Sequence, residues 1–187
     1  MLKRGFKNGS EKKSLELRRL LNLKPHEYLS ARELASYYKV KIITPEEVPR
    51  FDKQCIMKLL KYDVWSAVTL KRDNTFAIIL NTDHSIARQE SDLFHELAHI
   101  VCGHDMSGFV KIGDTYFRRY NKEQEEEAEW LGGCLHIPRK CLEWAFRSNM
   151  SPQDISNNYT ASDELVTYRI NVTGIKNQYR YYASKFL

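Results

Sequence analysis

Two histidines and a glutamate lie within one short stretch of the chain, His95-Glu96-Leu97-Ala98-His99. If this stretch is a helix, His95 and His99 project from one side, one turn apart, so both imidazoles can bind the same metal ion. Glu96 lies on the same polar arc, where its carboxylate can accept a proton from a nearby water without binding the ion. This H-E-x-x-H spacing is typical of zinc hydrolases and predicts Zn²⁺ as the metal.

The residues around this motif are apolar and predict a core helix with a single polar arc. They are Leu93, Phe94, Leu97, Ala98, Ile100 and Val101. Asp92 lies on the polar arc. We interpret it either as a carboxylate that orients a metal ligand or as an acidic residue of the first helical turn, where the helix dipole favours negative charge.

A catalytic zinc site needs a third protein ligand, and the sequence offers two candidates. The first is His104, but the metzincin spacing H-E-x-x-H-x-x-G-x-x-H places its glycine and histidine out of register with Gly103 and His104. The second candidate is an acidic run with glutamates at Glu123, Glu125, Glu126, Glu127 and Glu129.

The acidic run leads into a second predicted helix. Its buried stripe follows the i, i+3, i+4, i+7 rule at Ala128, Leu131, Gly132 and Leu135. On a helical wheel Glu125 lies nearest the centre of this stripe and Glu129 is next, so we predict Glu125 as the third zinc ligand. Glu129 is predicted to orient a ligand histidine, or to compete for the ligand position. The other three glutamates, Glu123, Glu126 and Glu127, are expected at the rim or in solvent.

Together the two motifs resemble the ImmA/IrrE family of bacterial metallopeptidases. H-E-L-A-H is followed by E-x-x-A and by CLHIP at residues 134–138. The alanine-to-proline spacing matches the family's second motif, E-x-x-A-N-x-F-A-A-x-L-L-M-P. The chain departs from that motif at Glu129, Leu131 and Gly132-Gly133, where the family commonly has asparagine, phenylalanine and two alanines.

The resemblance covers residues 30–174 approximately and implies a set of functional residues. By that match His95, His99 and Glu125 hold one Zn²⁺ per chain, and Glu96 is the catalytic glutamate. It also implies a cytosolic endopeptidase that cleaves a helix-turn-helix transcriptional repressor. Such cleavage would switch on phage, mobile-element, defence or stress-response genes.

The cysteines have no C-x-x-C pairing and lie in or beside apolar segments, at Cys55, Cys102, Cys134 and Cys141. This distribution is typical of buried thiols in a reducing compartment. A zinc-binding role for Cys102 or Cys134 is the alternative interpretation.

The surrounding sequence predicts an α+β fold, a mostly helical gluzincin-like metalloprotease domain with a small sheet of about three strands and C-terminal helices. Strands are predicted at 40–44, 64–70 and 75–80, and a loop or hairpin at 105–120. Helices are predicted at 10–23, 30–38, 52–61 and 141–148, from residue 151, and at 162–172. We divide the chain into a basic N-terminal helical extension (1–25), a zinc metallopeptidase core (26–138) and a C-terminal helical segment (139–187). The last segment is expected to pack on the core and resembles a helix-turn-helix.

The net charge is +5, and basic residues are concentrated near both ends of the chain. Near the start they are Lys3, Arg4, Lys7, Lys12, Lys13, Arg18, Arg19 and Lys24; near the end they alternate with aromatic residues. Such segments either bind single-stranded nucleic acid, which makes single-stranded DNA a candidate activator, or are solvated tails. No apolar run reaches the length of about 18 residues that a membrane span needs, so we expect a cytoplasmic protein.

These observations favour a zinc-dependent, site-specific endopeptidase that acts on a regulatory protein. An alternative from another class is a nucleic-acid-binding regulator in which zinc has only a structural role. A third hypothesis is a general peptidase that degrades many proteins.

Overall fold

The computed structural model describes residues 2–47, 66–72, 75–104, 109–112, 115–118 and 121–179. The elements are α1 (Phe6–Leu20), α2 (Ala31–Tyr37), β1 (Lys41–Ile43), a 3-10 turn (Pro45–Glu47), β2 (Ala67–Arg72), β3 (Thr75–Leu80), α3 (Ile86–Cys102), β4 (Phe109–Ile112), β5 (Thr115–Arg118), α4 (Lys122–His136), α5 (Arg139–Arg147), α6 (Pro152–Tyr159) and α7 (Asp163–Thr173). The prediction of a mostly helical α+β fold is confirmed.

The three predicted strands are neighbours in one sheet, in which β1 is parallel and β2 antiparallel to β3. β5 pairs antiparallel with β2, and β4 with β5, which gives the order β1-β3-β2-β5-β4. The sheet is therefore larger than predicted, because the segment expected to be a loop or hairpin supplies two more strands. Each has only four residues, which is too short for a clear pattern of alternating side chains.

The predicted helices are present, with small differences at their ends, apart from the one at 52–61, which lies outside the described residues. Ser30 caps α2 as expected by accepting a hydrogen bond from Arg32 N–H. Ser151 and Asp154 form a capping box at the start of α6. None of the described helices has the length and apolar character that crossing a bilayer requires.

Apolar side chains form two clusters. The first joins α1, α2, the sheet, α3 and α4 through residues that include Leu17, Leu34, Ile78, Phe94 and Leu131. The second joins α5, α6 and α7 through Leu142, Ile155 and Val166, among others. Ile137 begins the second cluster, beside the predicted boundary at residue 138. The division of the chain at residues 25 and 138 stays a prediction, although α1 contributes Leu17 to the first core.

Candidate metal centre

Helix α3 carries the H-E-x-x-H motif. Ser85 caps its N-terminus by accepting a hydrogen bond from Arg88 N–H, and Gly103 ends it with a left-handed φ of 64°. Its apolar side includes Leu93, Phe94, Leu97 and Ala98, which are almost completely buried in the first core. Burial of that side fixes the rotation of the helix and directs His95 and His99 towards α4.

Helix α4 packs directly on α3. A Cβ atom added at Gly132 would lie 3.2 Å from His95 Cα and 3.2 Å from Phe94 O, so the two backbones approach closely beneath the first histidine. Asn121 caps α4 by accepting hydrogen bonds from Glu123 N–H and Gln124 N–H. The close packing places Glu125, in the first turns of α4, opposite the motif.

Three potential ligand atoms meet between the helices. His95 Nε2 lies 3.2 Å from His99 Nε2 and 3.1 Å from Glu125 Oε2, and His99 Nε2 lies 3.6 Å from the same oxygen. Ligand atoms at about 2.0–2.1 Å from a tetrahedral zinc ion are about 3.4 Å apart, so these separations fit one ion. Two histidines and a glutamate are also an established donor set of catalytic zinc sites. In the described ranges, no other three such side chains meet in this way.

The carboxylate of Glu96 contacts strand β2. Its Oε2 accepts hydrogen bonds from Thr69 N–H at 3.0 Å and from Thr69 Oγ1 at 2.5 Å. Glu96 is 7% exposed and Thr69 is 1% exposed. The two donors stabilise the ionised carboxylate and restrict its rotation. The sequence predicted the strand at this position but not the contact of Thr69 with Glu96, since nothing in a strand pattern specifies which helix residue lies above it.

Glu127 differs from its predicted position at the rim or in solvent. Its side chain is 12% exposed, and its Oε2 lies 3.0 Å from His104 Nε2. His104 Nδ1 in turn lies 2.7 Å from His99 Nδ1, on the side of His99 opposite to its ligand atom. The expectation for Glu127 was wrong because the helical wheel considered only the stripe of α4 itself, whereas the end of α3 covers this flank as well.

Glu129 also differs from its predicted inward orientation. The residue is exposed, whereas Glu125 contacts both histidines of the motif. A role for Glu129 as a ligand or as an orienting residue stays a prediction. The contacts of Glu125 with His95 and His99 support Glu125 as the third ligand.

Asp92 contacts two residues near the start of α3. Its Oδ2 lies 3.5 Å from His84 Nδ1 and 4.0 Å from Arg88 Nε. Burial raises the pKa of Asp92, although His84 and Arg88 oppose this effect. The structure thus gives Asp92 partners other than the two motif histidines, and its proposed orienting role stays a prediction.

The thiols of Cys102 and Cys134 are separate from the three-donor group. Burial is the main cause that raises the pKa of Cys102 to about 11 and that of Cys134 to about 12, so both are neutral at physiological pH. Cys141 is a buried free thiol, and Cys55 lies outside the described residues. Cys134 and Cys141 therefore fit the prediction of buried thiols, whereas Cys102 is only partly buried.

Several basic residues near the N-terminus have partners within the protein. Lys3, Lys13 and Lys24 pair with glutamates, Lys7 lies over the ring of Trp130 and Arg18 is completely buried. Arg4, Lys12 and Arg19 are exposed. Burial thus removes Arg18 from the positive surface near the N-terminus. Residues 180–187 lie outside the described part of the chain.

The two motifs and the helices that carry them lie within a recognised family domain. The family model Peptidase_M78, described as the IrrE N-terminal-like domain, matches residues 55–171, which is more than half of the chain. The matched range contains both α3 and α4. A comparison with curated proteins gives no match.

Proposed function

The chain belongs to the Peptidase_M78 family of IrrE N-terminal-like domains, and from this membership we propose that it is a zinc-dependent endopeptidase. One observation supports a mechanism that uses a metal ion. The donor atoms of His95, His99 and Glu125 are separated by 3.1, 3.2 and 3.6 Å, as three ligands of one zinc ion would be. We assign these residues as the ligands of one Zn²⁺ per chain.

Glu96 is the proposed catalytic residue. Bound Zn²⁺ supplies a Lewis acid that polarises the scissile carbonyl and lowers the pKa of water at the site. Glu96 accepts a proton from the attacking water as the new carbon–oxygen bond forms. It then delivers that proton to the nitrogen of the leaving amine as the peptide bond breaks. Thr69 orients Glu96 for both transfers through its two hydrogen bonds to Oε2.

The proposed substrate is a regulatory protein in the cytoplasm, namely a helix-turn-helix transcriptional repressor. The resemblance of the two motifs to the ImmA/IrrE family supports this part of the proposal. Cleavage at one site would inactivate the repressor and switch on phage, mobile-element, defence or stress-response genes.

A mass-spectrometric survey of new protein N-termini tests the chemistry and the substrate together. Cells express the wild type, Glu96→Gln or the matched control Glu123→Gln, with and without DNA damage. We expect one dominant new terminus in a small DNA-binding repressor, present with the wild type and the control and absent with Glu96→Gln. Purified Glu96→Gln should still bind zinc, because Glu96 is not a ligand.

Other outcomes of the survey would favour the two alternative functions. Retained cleavage by Glu96→Gln would overturn the proposed mechanism. Many new termini, together with digestion of casein by the purified protein, would indicate a general peptidase. Identical termini in all cells, with DNA binding that weakens steeply as salt rises, would favour a nucleic-acid-binding regulator with structural zinc.

Single-stranded DNA remains the candidate activator in this proposal. Arg4, Lys12 and Arg19 are among the exposed basic residues near the N-terminus that could contact phosphates. Cleavage of the identified repressor should be faster when single-stranded DNA is added at low salt. Equal rates with and without DNA would remove DNA from the proposal.

A further inference from the structure

His99, His104 and Glu127 form a line of three side chains with hydrogen-bonding atoms close to one another, on the side of His99 away from its ligand atom. His99 Nδ1 lies 2.7 Å from His104 Nδ1, and His104 Nε2 lies 3.0 Å from Glu127 Oε2. The side chains of His99, His104 and Glu127 are 0%, 5% and 12% exposed. The proposed metal ligand is therefore supported from behind by a buried histidine and a nearly buried carboxylate.

The end of helix α3 brings His104 into this line. Gly103 adopts a left-handed φ of 64°, and the chain turns back so that His104 N–H donates to His99 O at 3.1 Å. The imidazole of His104 consequently lies beside that of His99. Glu127 reaches His104 from α4, two residues after the proposed ligand Glu125.

The line admits one arrangement of protons when His99 binds a metal through Nε2. The Nε2 lone pair then faces the metal, so neutral His99 carries its proton on Nδ1. His104 Nδ1 must accept that proton's hydrogen bond, which leaves the proton of neutral His104 on Nε2. His104 Nε2–H then donates to Glu127 Oε2, which accepts.

The ammonium group of Lys3 lies beside the carboxylate of Glu127. Lys3 Nζ lies 3.5 Å from Glu127 Oε1, although Lys3 is 80% exposed and its contribution is screened by water. The thiol of Cys102 stays neutral, since its pKa is raised to about 11 mainly by burial, with a smaller contribution from the charge of Glu127.

We propose that His104 and Glu127 are positioning residues, which hold His99 in its metal-binding tautomer and orientation and thereby raise the zinc affinity of the centre. The inference rests on the proposed metal centre and goes beyond it, since neither residue belongs to the three-donor group. Partners of this kind behind a ligand histidine typically change metal affinity by about 10–100-fold.

Zinc affinity, measured by competition with a chelator, tests the inference without relying on activity. His104→Phe keeps an aromatic ring but removes the acceptor, and His104→Asn restores an acceptor close to the position of Nδ1. Glu127→Gln removes the charge that fixes the His104 tautomer. Glu123→Gln is the matched control, because it removes a charge from the exposed first turn of the same helix.

We expect His104→Phe to weaken zinc binding by about 10–100-fold and Glu127→Gln to weaken it by a smaller factor. His104→Asn should bind more tightly than His104→Phe, and the control should match the wild type. Nitrogen-15 NMR of the zinc-loaded wild type should report the Nδ1–H tautomer for His99 and the Nε2–H tautomer for His104. A role limited to packing predicts neither the rescue by asparagine nor these tautomers.

The outcomes separate this inference from the proposed function. If the wild type binds no zinc, the proposed metal centre itself fails. If the wild type binds zinc and the folded variants bind it as tightly, or if the NMR tautomers are reversed, only the positioning role is overturned. Should His104→Phe fail to fold, as judged by circular dichroism, the zinc affinities of Glu127→Gln and Glu123→Gln are compared instead. Equal affinities would overturn the positioning role.

Discussion

At the scale of single residues, Glu125 and Glu127 have the same side chain but different partners. The carboxylate of Glu125 contacts His95 and His99 on their ligand side. The carboxylate of Glu127 contacts His104 on the far side of His99. Because the two residues are about 200° apart around α4, they approach α3 from opposite flanks of the metal centre. We therefore expect their substitutions to have different effects on metal binding.

Replacing Glu125 with alanine should abolish stable zinc binding. The change removes the oxygen that lies 3.1 Å from His95 Nε2, and two histidines alone hold zinc weakly. Glu129→Ala should retain about one zinc per chain, since Glu129 is exposed. Metal content after dialysis, measured by mass spectrometry, tests both variants. Loss of zinc only from Glu129→Ala would reassign the third ligand.

Helical spacing predicted which side chains of α3 and α4 would meet, because His95, His99 and Glu125 lie on the sides that pack together. It did not predict the pair formed by His104 and Glu127. His104 lies beyond the end of α3, and its position depends on the turn at Gly103. Periodicity describes one element at a time, so it cannot specify a contact made by a residue after a helix end.

At the scale of elements, the separation of α3 and α4 is set at Gly132. A Cβ atom there would lie 3.2 Å from His95 Cα, and the contacted atoms are backbone atoms that cannot rotate away. The two helices therefore carry their ligands at a spacing that depends on a residue without a side chain. Gly132 is also one of the positions at which the chain departs from the motif that it resembles, since the family commonly has alanine there.

Gly132→Ala should destabilise the protein, although alanine favours helices. The added methyl group must displace α3 by a few tenths of an ångström, which we expect to lower the free energy of unfolding by about 1–3 kcal/mol. Gly9→Ala in α1 is the control, because a Cβ atom there meets nothing within 4 Å. The control should gain about 0.5–1 kcal/mol. Urea unfolding measures both, and equal stabilisation by the two changes would contradict the prediction.

The elements themselves were predicted unequally well. Strands β2 and β3 have apolar, β-branched sequences separated by residues that are typical of turns, and they were found near their predicted positions. Strands β4 and β5 pair antiparallel, as the hairpin alternative for residues 105–120 predicted. Their place in the sheet was not predicted, since the pairing of β5 with β2 joins residues far apart in the sequence. Long-range pairing of this kind depends on the tertiary fold and leaves little signal in a four-residue run.

At the scale of the whole molecule, His136 connects three parts of the chain. Its ring lies 4.7 Å from that of Phe94 in α3, and its Nε2–H donates to Tyr159 O in α6 at 2.8 Å. Its carbonyl oxygen accepts a hydrogen bond from Arg18 in α1 at 3.1 Å. Burial, with a smaller contribution from the positive charge of Arg18, lowers the pKa of His136 to about 4.

The stability of the fold should consequently fall in acid between about pH 6.5 and pH 4. As the pH falls, His136 is protonated in the unfolded chain near pH 6.5, whereas in the native protein it stays neutral until about pH 4. The native state is therefore fully stabilised above pH 6.5, and it loses stability relative to the unfolded chain as the pH falls below that value. We expect the wild type to lose about 2 kcal/mol more than His136→Gln between pH 7.5 and pH 5. Urea unfolding at both values measures the difference. Parallel losses in the two proteins would exclude His136 as the cause.

A buried ion pair joins the N-terminal helix to the C-terminal helices. Glu11 accepts hydrogen bonds from Arg169 Nη2 in α7 and Arg139 N–H in α5, and the Arg169 side chain is 0% exposed. Glu11→Ala should lower the free energy of unfolding by about 3 kcal/mol, because it leaves a buried guanidinium without its carboxylate. Glu16→Ala, which removes a partly exposed surface pair with Lys13, should cost about 0–1 kcal/mol. Urea unfolding measures both changes in the free energy of unfolding. Equally small changes would mean that residues 1–25 are a loosely attached extension. A large decrease for Glu11→Ala alone would make α1 part of the cooperative fold.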